Sequence, residues 1–274
     1  PDILPKLRVY YIGGPNKKWT PSAYHYIASQ HPNLWIIENN ATYRGWFVGG
    51  EQSGDWGNQA FVKTFLAPHG ALGKYFATTL EGTIKMGDSP SVTWLLNNNT
   101  LDPSEPGWGG QFVRAWSRAN IAFNRFTTAD DQIEEFGLAE FVFPLPANLP
   151  KNPVVTLHIE NQQLTGFIDR QKQVHFRFSP KAAAVFTYRL HSNIPELEGK
   201  TGAITAIPTP ASAANHPDPH WPNWWVDNPA PEFAEGPHIG AKTVNRWRKD
   251  FLSDFAHRIN RASVKAPSNE ESER

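Results

Sequence analysis

Alternation of apolar and polar stretches predicts a strand, a helix and a second strand in the first forty residues. Residues 7–12 are a nearly continuous apolar run, which is typical of a buried strand. Residues 21–30 begin with a proline and have helical spacing, and residues 34–37 form another apolar run that ends at Glu38. A strand, helix and strand at this spacing predict an α/β unit with a parallel sheet.

Ligands of parallel sheets bind beyond the carboxyl ends of the strands. This rule places two short polar or glycine segments at the ligand edge, Gly13-Gly14 and Glu38-Asn39-Asn40.

Further along the chain, the period of the apolar positions changes twice. Helical spacing predicts helices at residues 58–66, 90–96 and 243–260. The last of these has a single apolar face, formed by Val244, Trp247, Phe251, Phe255 and Ile259. Between them, period-two runs separated by turns predict strands at residues 154–159, 174–178, 185–190 and 202–207. These runs favour an antiparallel β module built as a small sandwich.

The changes in pattern divide the chain into four parts. Residues 1–138 are interpreted as an α/β region and residues 139–210 as an inserted β-rich module. Residues 211–262 contain a segment rich in proline, histidine and tryptophan, followed by the closing helix of the α/β domain. The prolines predict a long loop or linker without a central strand, and the polar residues 263–274 predict a disordered tail.

Composition excludes several classes of function. The 274 residues include 26 basic and 26 acidic side chains, so the net charge gives no reason to expect a nucleic acid or an anionic membrane as partner. No apolar run is long enough to span a bilayer. The lack of cysteine excludes disulfides and thiolate chemistry. The chain starts at Pro1 rather than Met, which predicts a processed or trimmed chain, and two sequons at Asn40 and Asn98 favour secretion weakly.

One acidic residue, Asp88, stands in a turn where its carboxylate could have a ligand-binding or a helix-capping role. Asp88 lies in a Gly-Asp-Ser-Pro sequence directly before the helix predicted at 90–96, with Pro90 at the first helical position. A carboxylate placed there by the backbone either holds a cation or polar ligand, or only caps the helix.

Several motifs together resemble one family. They are the Lys-Met-Gly-Asp-Ser-Pro-Ser turn that contains Asp88, the Asp102-Pro103 pair, and the glycine-rich segment at 107–110. Residues 6–10, 42–45, 69–73 and 246–256 match in the same order. The chain resembles the cellulose-binding proteins that carry a nucleoside-hydrolase-like domain, over residues 6 to about 118 and again from about 240 to 260.

The resemblance implies a fold, an ion and a substrate class. It implies a Rossmann-like parallel sheet of the nucleoside-hydrolase type that carries the inserted β module. Nucleoside hydrolases hold calcium, chiefly with an aspartate-rich turn that this chain lacks, and Asp88 matches the one aspartate that the second half of the domain supplies. Gly87 replaces the histidine that precedes it in those enzymes, so that leaving-group role is not carried over.

Glu38 and Asn40 match a pair that binds sugar hydroxyls in nucleoside hydrolases. The alternative is a polar strand end with a turn-forming asparagine pair. Because the aspartate-rich half of the domain would precede residue 1, the resemblance also implies an upstream half or a partner chain that covers the exposed edge of the sheet.

Three further groups of residues have both a functional and a structural interpretation. Four acidic residues, Asp130, Asp131, Glu134 and Glu135, stand in a segment expected to be helical and form either a glycosidase pair or, preferably, a solvated face. His216, Asp218 and His220 form either a transition-metal site or a solvent-facing loop. Trp221, Trp224 and Trp225 form either an exposed platform for a sugar or a segment that folds back on the protein.

Two functions follow. The first is a secreted carbohydrate-active hydrolase that cleaves a glycosyl bond in a plant or cell-wall saccharide, with calcium held by Asp88. The alternative is a non-catalytic protein that binds cellulose or a related polysaccharide.

Overall fold

The computed structural model describes residues 3–12, 21–79, 82–84, 86–117 and 120–263. Gly13-Gly14 and the tail residues 264–274 lie outside this range, so their predicted roles are not addressed by the structure. The described chain is mixed α/β with several mixed sheets. It divides into two compact units, Pro1–Asn40 with Arg114–Trp224 (unit 1) and Ala41–Val113 with Trp225–Arg274 (unit 2). The sequence-based boundaries at 138, 210 and 262 stay a prediction.

Unit 1 begins with the strand, helix and strand that the sequence predicts. Strand β1 (Val9–Tyr11) and strand β2 (Ile36–Glu38) are parallel, with Val9 opposite Ile36 and Tyr11 opposite Glu38. Helix α1 connects them over Pro21–Gln30. This confirms the local α/β unit, while a complete Rossmann-like sheet and an inserted module stay predictions.

The rest of unit 1 is a sandwich of two mixed sheets. The strands are β4 (Asn120–Phe123), β5 (Gln132–Glu134), β6 (Leu138–Pro144), β7 (Val155–Ile159), β8 (Gln162–Thr165), β9 (Phe167–Ile168), β10 (Gln173–Phe178), β11 (Ala184–Ser192) and β12 (Thr201–Ile207). One sheet has the order β4-β6-β10-β9 and the other β5-β12-β11-β7-β8.

Alternation along each strand places the sandwich core. In β10, Val174, Phe176 and Phe178 are buried, whereas the two residues between them lie on the other face. These rings pack with Phe141, Phe143 and Tyr188 from neighbouring strands. The four strands predicted in this region are therefore confirmed with small shifts at their ends.

The predicted antiparallel pairing of the β-rich module is confirmed, because β10 pairs antiparallel with β6 and β9, and β11 pairs antiparallel with β7 and β12. Two strands that precede the module join its sheets in parallel, which the sequence analysis did not predict. Strand β4 pairs in parallel with β6, and β5 pairs in parallel with β12. Both added strands are short and precede residue 138, where the sequence shows little alternation.

Unit 2 is built mainly from helices around a separate core. The helices are α2 (Asn58–Phe61), which continues as a π-helix over Val62–Leu66, α3 (Gly70–Thr79), α4 (Ser89–Asn97), α5 (Lys242–Asn245) and α6 (Arg248–Ile259). The predicted apolar face is confirmed, because Val244, Phe251 and their neighbours on it pack against Trp46, Phe61 and Leu66. None of the described helices has the length and apolarity needed to cross a membrane.

The proline-rich segment contains a strand that the sequence analysis excluded. Strand β13 covers Trp224–Asp227, and the division between the two units falls inside it, as it does inside strand β3 (Phe112–Arg114). In unit 1 the backbone amide of Ala115 donates to the Trp224 carbonyl over 2.9 Å. The exclusion was wrong because the Trp-Trp-Val-Asp sequence has no proline and its side chains favour strands.

Candidate functional site

The predicted pair Glu38 and Asn40 lies where β2 ends. Strand β2 is buried along its whole length, and the polar residues that follow it remain buried: Glu38 is 1% exposed, Asn39 0% and Asn40 3%. A polar strand end is usually solvated, so three buried polar side chains in sequence require partners inside the protein.

Glu38 has a tyrosine beside it on the neighbouring strand. Tyr11 stands opposite Glu38 in the parallel register, which places both side chains on the same face of the sheet. Burial raises the pKa of the Tyr11 phenol well above its ordinary value, and the negative charge of Glu38 raises this pKa further. The Tyr11 hydroxyl therefore stays protonated and available as a hydrogen-bond donor throughout the neutral range.

Aromatic rings from α1 continue this face. The ring of Tyr11 stacks on Tyr24 at 6.5 Å between centroids, and Tyr24 meets Trp224 edge-on at 6.2 Å. Glu38 therefore lies beside one end of an aromatic cluster in unit 1.

Asn39 is held by hydrogen bonds to strand β1, one of them to the tyrosine on the face opposite to Tyr11 and Glu38. Its backbone amide donates to the Tyr11 carbonyl over 2.8 Å, and its side-chain amide donates to the Tyr10 hydroxyl over 2.6 Å. Because Tyr10 and Tyr11 point to opposite faces, the two strand ends are held from both sides. The sequence analysis placed Asn39 at the ligand edge but did not single out Tyr10 and Tyr11, although these two stand at the end of the predicted strand, where ligand-edge residues are expected.

The chemistry of this group suits hydroxyl recognition. A carboxylate accepts hydrogen bonds from hydroxyls, an amide both donates and accepts, and a phenol donates. Since Glu38 and Asn40 are buried, a ligand contacts them only if residues that cover them move.

The structure contradicts the prediction of an exposed tryptophan platform for Trp224. This residue is 2% exposed, and its ring lies between Tyr24 and Trp221, with the Trp221 ring stacked at 5.8 Å. Trp221 is half-buried and donates its indole N–H to the Ala28 carbonyl of α1 over 3.1 Å. Trp224 is therefore a core residue, because large aromatic rings gain most by leaving water. Trp225 belongs to unit 2 and is half-buried.

Asp88 lies at the start of α4 in unit 2, as the sequence predicts. It is the cap residue of this helix, but its side chain makes no capping hydrogen bond; its backbone carbonyl accepts from the Ser91 hydroxyl over 2.7 Å. The Asp88 side chain is exposed.

Calcium requires six to eight oxygen ligands, mainly carboxylates and carbonyls. Within the described parts of the chain, no group of three histidine or acidic side chains is arranged to hold a metal ion. The described residues around Asp88 therefore do not fit a calcium site, and the ion stays a prediction.

The glycine-rich segment at 107–110 packs against helix α4, the helix that Asp88 precedes. The Asn98 side chain accepts from the Gly109 amide over 2.7 Å and donates to the Gly110 carbonyl over 3.0 Å. A Cβ atom at Gly109 would lie 2.6 Å from the Trp94 backbone, so only glycine permits this approach. In this structure the motif holds α4 in place.

A buried acid in unit 2 was not singled out as a site residue by the sequence analysis. Asp227 is 0% exposed, and its two carboxylate oxygens accept from the backbone amides of Ala41 and Thr42 at 3.0 and 3.1 Å. These amides begin a 3₁₀ helix over Thr42–Trp46, whose first N–H groups have no partner within the helix. Asp227 therefore fixes the chain directly after the Glu38-Asn39-Asn40 segment.

Three of the four acidic residues at 130–135, Asp131, Glu134 and Glu135, accept hydrogen bonds within the fold through their side chains. They lie in a turn and in β5, so the expected helix is wrong. Asp131 forms a two-pronged ion pair with Arg125, and Glu134 accepts from the Thr209 hydroxyl over 2.9 Å. Local turn bonds outweigh helical propensity here: the Thr128 amide also donates to Asp131.

The possible transition-metal residues also serve a turn. His216 and His220 are exposed, and the Asp218 side chain accepts from the His220 backbone amide over 2.8 Å. These residues are not among any metal-binding group in the described chain.

Neither predicted sequon presents a free acceptor. Asn40 is buried, and the Asn98 amide nitrogen is the group that donates to Gly110.

Comparison with known proteins supports the resemblance for part of the chain. Residues 1–112 match the family described as cellulose-binding Sde182, nucleoside hydrolase-like domain. The predicted resemblance is confirmed there, while residues 240–260 lie outside the match. None of the curated proteins matches the chain.

Three solved structures show weak likeness. A candidate glycoside hydrolase from Bacteroides vulgatus is 24% identical, with 30% of this chain and 17% of that chain covered and a TM-score of 0.27. A nucleoside hydrolase-related protein from Saccharophagus degradans, associated with carbohydrate metabolism, is 11% identical, with 75% and 64% covered and a TM-score of 0.30. A cysteine protease inhibitor from Entamoeba histolytica is 11% identical, with 33% and 99% covered and a TM-score of 0.23.

The chain thus spans less than two thirds of the length of the first two of these proteins. At these TM-scores, the likenesses support no conclusion about function.

Proposed function

We propose that this protein binds a plant or cell-wall polysaccharide such as cellulose. The observation that carries the proposal is the match of residues 1–112 to a family described as cellulose-binding. Because such polymers lie outside the cell, the proposal includes an extracellular location.

Two features of the described residues support recognition of a sugar polymer. Glu38 and Asn40 are buried at the strand end, and once the residues that cover them move, they offer a carboxylate and an amide to sugar hydroxyls. Trp221 and Trp225 are only half-buried, so part of each ring is available to an apolar sugar face.

Retention on insoluble cellulose tests the proposal. The full chain is mixed with microcrystalline cellulose, and the protein left in solution is measured over a range of protein concentrations. We expect saturable retention that falls at least fivefold for Trp221→Ala or Trp225→Ala. Tyr75→Ala is the matched control, because Tyr75 is an aromatic residue of α3 that is 66% exposed. Retention no higher than that of a non-binding protein would refute the proposal.

A second function, hydrolysis of a glycosyl bond, is favoured by one observation. Glu38 is a buried carboxylate beside a protonated phenol, and buried carboxylates with nearby titratable groups are common in catalytic sites. In this function Glu38 and Asn40 hold the sugar hydroxyls near the bond that is cleaved.

Release of reducing sugar from cello-oligosaccharides, or of free base from nucleosides, measures this activity. We expect the rate to fall at least a hundredfold for Glu38→Gln, with Glu232→Gln as control, since Glu232 is exposed in a short 3₁₀ helix. A rate unchanged by Glu38→Gln would exclude this role of Glu38.

A further inference from the structure

A cavity of about 430 Å³ lies in unit 1 at the amino ends of β1 and β2. Its polar and aromatic lining comes from Arg8, Gln30, His31, Asn33, Trp35 and Asn223, together with leucine and proline side chains. Arg8 directly precedes β1 and Trp35 directly precedes β2, whereas Glu38 lies at the carboxyl end of β2. The cavity is therefore separate from the strand-end group described above. Its volume is in the range of small-molecule sites.

The charge of the lining favours an anion. Arg8 supplies a permanent positive charge, and Gln30, Asn33 and Asn223 supply neutral amides. Of the described residues that line the cavity, none is acidic. A bound carboxylate would meet a cation and hydrogen-bond donors without a repelling charge in the lining.

Trp35 holds the arginine in position. The guanidinium carbon of Arg8 lies 5.4 Å from the centroid of the Trp35 ring, which is a cation–π contact. Its Nη1 donates to the Leu7 carbonyl over 2.9 Å and to the Pro5 carbonyl over 3.1 Å. The guanidinium has five N–H groups in a planar fork, so donors on Nη2 and Nε remain for a ligand.

The walls are fixed by backbone hydrogen bonds. The Val9 amide donates to the Trp35 carbonyl, and the Ile36 amide donates to the Asn223 carbonyl, both over 3.1 Å. The Asn223 side chain donates to the Asn33 carbonyl over 3.1 Å. A cavity framed in this way is largely formed before a ligand enters, which lowers the entropy lost on binding.

We propose that this cavity binds a uronate, a sugar residue that carries a carboxylate, at the end of an acidic polysaccharide. Arg8 pairs with the carboxylate, and the amides of Gln30, Asn33 and Asn223 bind the sugar hydroxyls. Trp35 is a positioning residue, because it acts by orienting Arg8. This inference rests on the proposed function, since it identifies the class of polysaccharide.

Calorimetry of the full chain with tri-galacturonate, and with cellotriose as the neutral probe of equal length, tests the proposal. We expect tri-galacturonate to bind at least tenfold more tightly than cellotriose. Arg8→Gln should raise its Kd at least tenfold, and Arg8→Lys less, because an ammonium keeps the charge but loses the fork. Arg170→Gln is the control, as Arg170 is an exposed arginine of unit 1 outside the cavity. Since Arg8 is exposed, its variants should keep the thermal midpoint of the parent protein.

A readout specific to Trp35 separates positioning from general damage. The indole N–H signal that disappears in Trp35→Phe identifies this residue by NMR, and it should shift on addition of tri-galacturonate but not of cellotriose. Equal binding of the two probes, or a Kd unchanged by Arg8→Gln, would overturn the inference.

The experiment also separates the two proposals. If cellulose retention persists while tri-galacturonate fails to bind, the uronate site is wrong and the proposed function stands. If tri-galacturonate binds through Arg8 but cellulose is not retained, the uronate site stands and cellulose is the wrong ligand.

Discussion

Arg248 is a buried cation, and its replacement should destabilise unit 2 more than any nearby charge change. Its side chain is 0% exposed. Nη1 donates to the Trp46 carbonyl over 2.8 Å, Nε and Nη2 donate to the Trp56 carbonyl, and Nη2 donates to the Asn58 side chain over 2.7 Å. Burial lowers the pKa of Arg248 from its ordinary value to about 10, so the group remains charged at neutral pH.

The magnitude follows from the acceptors that Arg248 satisfies. Arg248→Met fills a similar volume but leaves two backbone carbonyls without a donor, and each such group costs roughly 1–3 kcal/mol. Because the methionine variant no longer has to bury a charged guanidinium, it avoids the cost of desolvating that charge, which offsets part of the lost stability. We expect the free energy of unfolding to fall by about 3 kcal/mol. Arg248→Lys should lose about half as much, because one ammonium cannot serve three acceptors in the plane of a guanidinium.

Urea unfolding followed by tryptophan fluorescence measures this change, with each transition fitted separately because the chain has two units. Arg246→Met is the matched control two positions away. Arg246 is exposed and donates a side-chain hydrogen bond to Gln111. Arg246→Met should therefore lower the free energy of unfolding by only about 0–1 kcal/mol. Equal stability of the Arg248→Met and Arg246→Met variants would refute the account of Arg248.

Three further predictions concern residues that the structure assigns to folding. Trp224→Ala should lower the free energy of unfolding, measured in urea, by about 3–5 kcal/mol because the ring is buried. A decrease of less than about 1 kcal/mol would contradict the burial of Trp224. Asp227→Asn should lower it by about 2 kcal/mol, since an amide cannot accept from both backbone N–H groups; an unchanged midpoint would contradict this. Hydrogen bonds, first to the Gln173 amide and then to His175, lower the pKa of Asp169 below its ordinary value. The stability it contributes is therefore present above pH 3.8 and is lost as the pH falls through the lower folded pKa. In a pH series of thermal midpoints, Asp169→Asn should flatten this acid decline, and an identical decline in both proteins would refute the assignment.

Much of the local fold could be predicted because the apolar period is strong where one face is buried. The helix at 21–30 and the apolar face of the last helix follow directly from spacing. Short strands such as β4 and β5 could not be predicted, because three or four residues give too little alternation and their pairing comes from distant partners. Helix α3 was missed because its sequence was interpreted only as part of the resemblance.

The candidate site could be predicted only in part. Glu38 and Asn40 were singled out because the resemblance implies a sugar-binding pair there and because strand ends in parallel sheets are a general location for ligands, and their binding role stays a prediction. Their burial, and the charge effect of Glu38 on Tyr11, depend on the register between β1 and β2, which a single sequence does not specify. At Trp224 the prediction of an exposed ring was wrong, because the proline-rich composition of the segment indicated exposure but the tertiary structure buries the ring.

The most direct test of the central claim is a binding isotherm of the full chain on microcrystalline cellulose, measured by depletion from solution. The account predicts saturable binding that soluble cello-oligosaccharide competes away. Depletion that equals that of a non-binding protein at every concentration would contradict the claim that this protein binds a cell-wall polysaccharide of this kind.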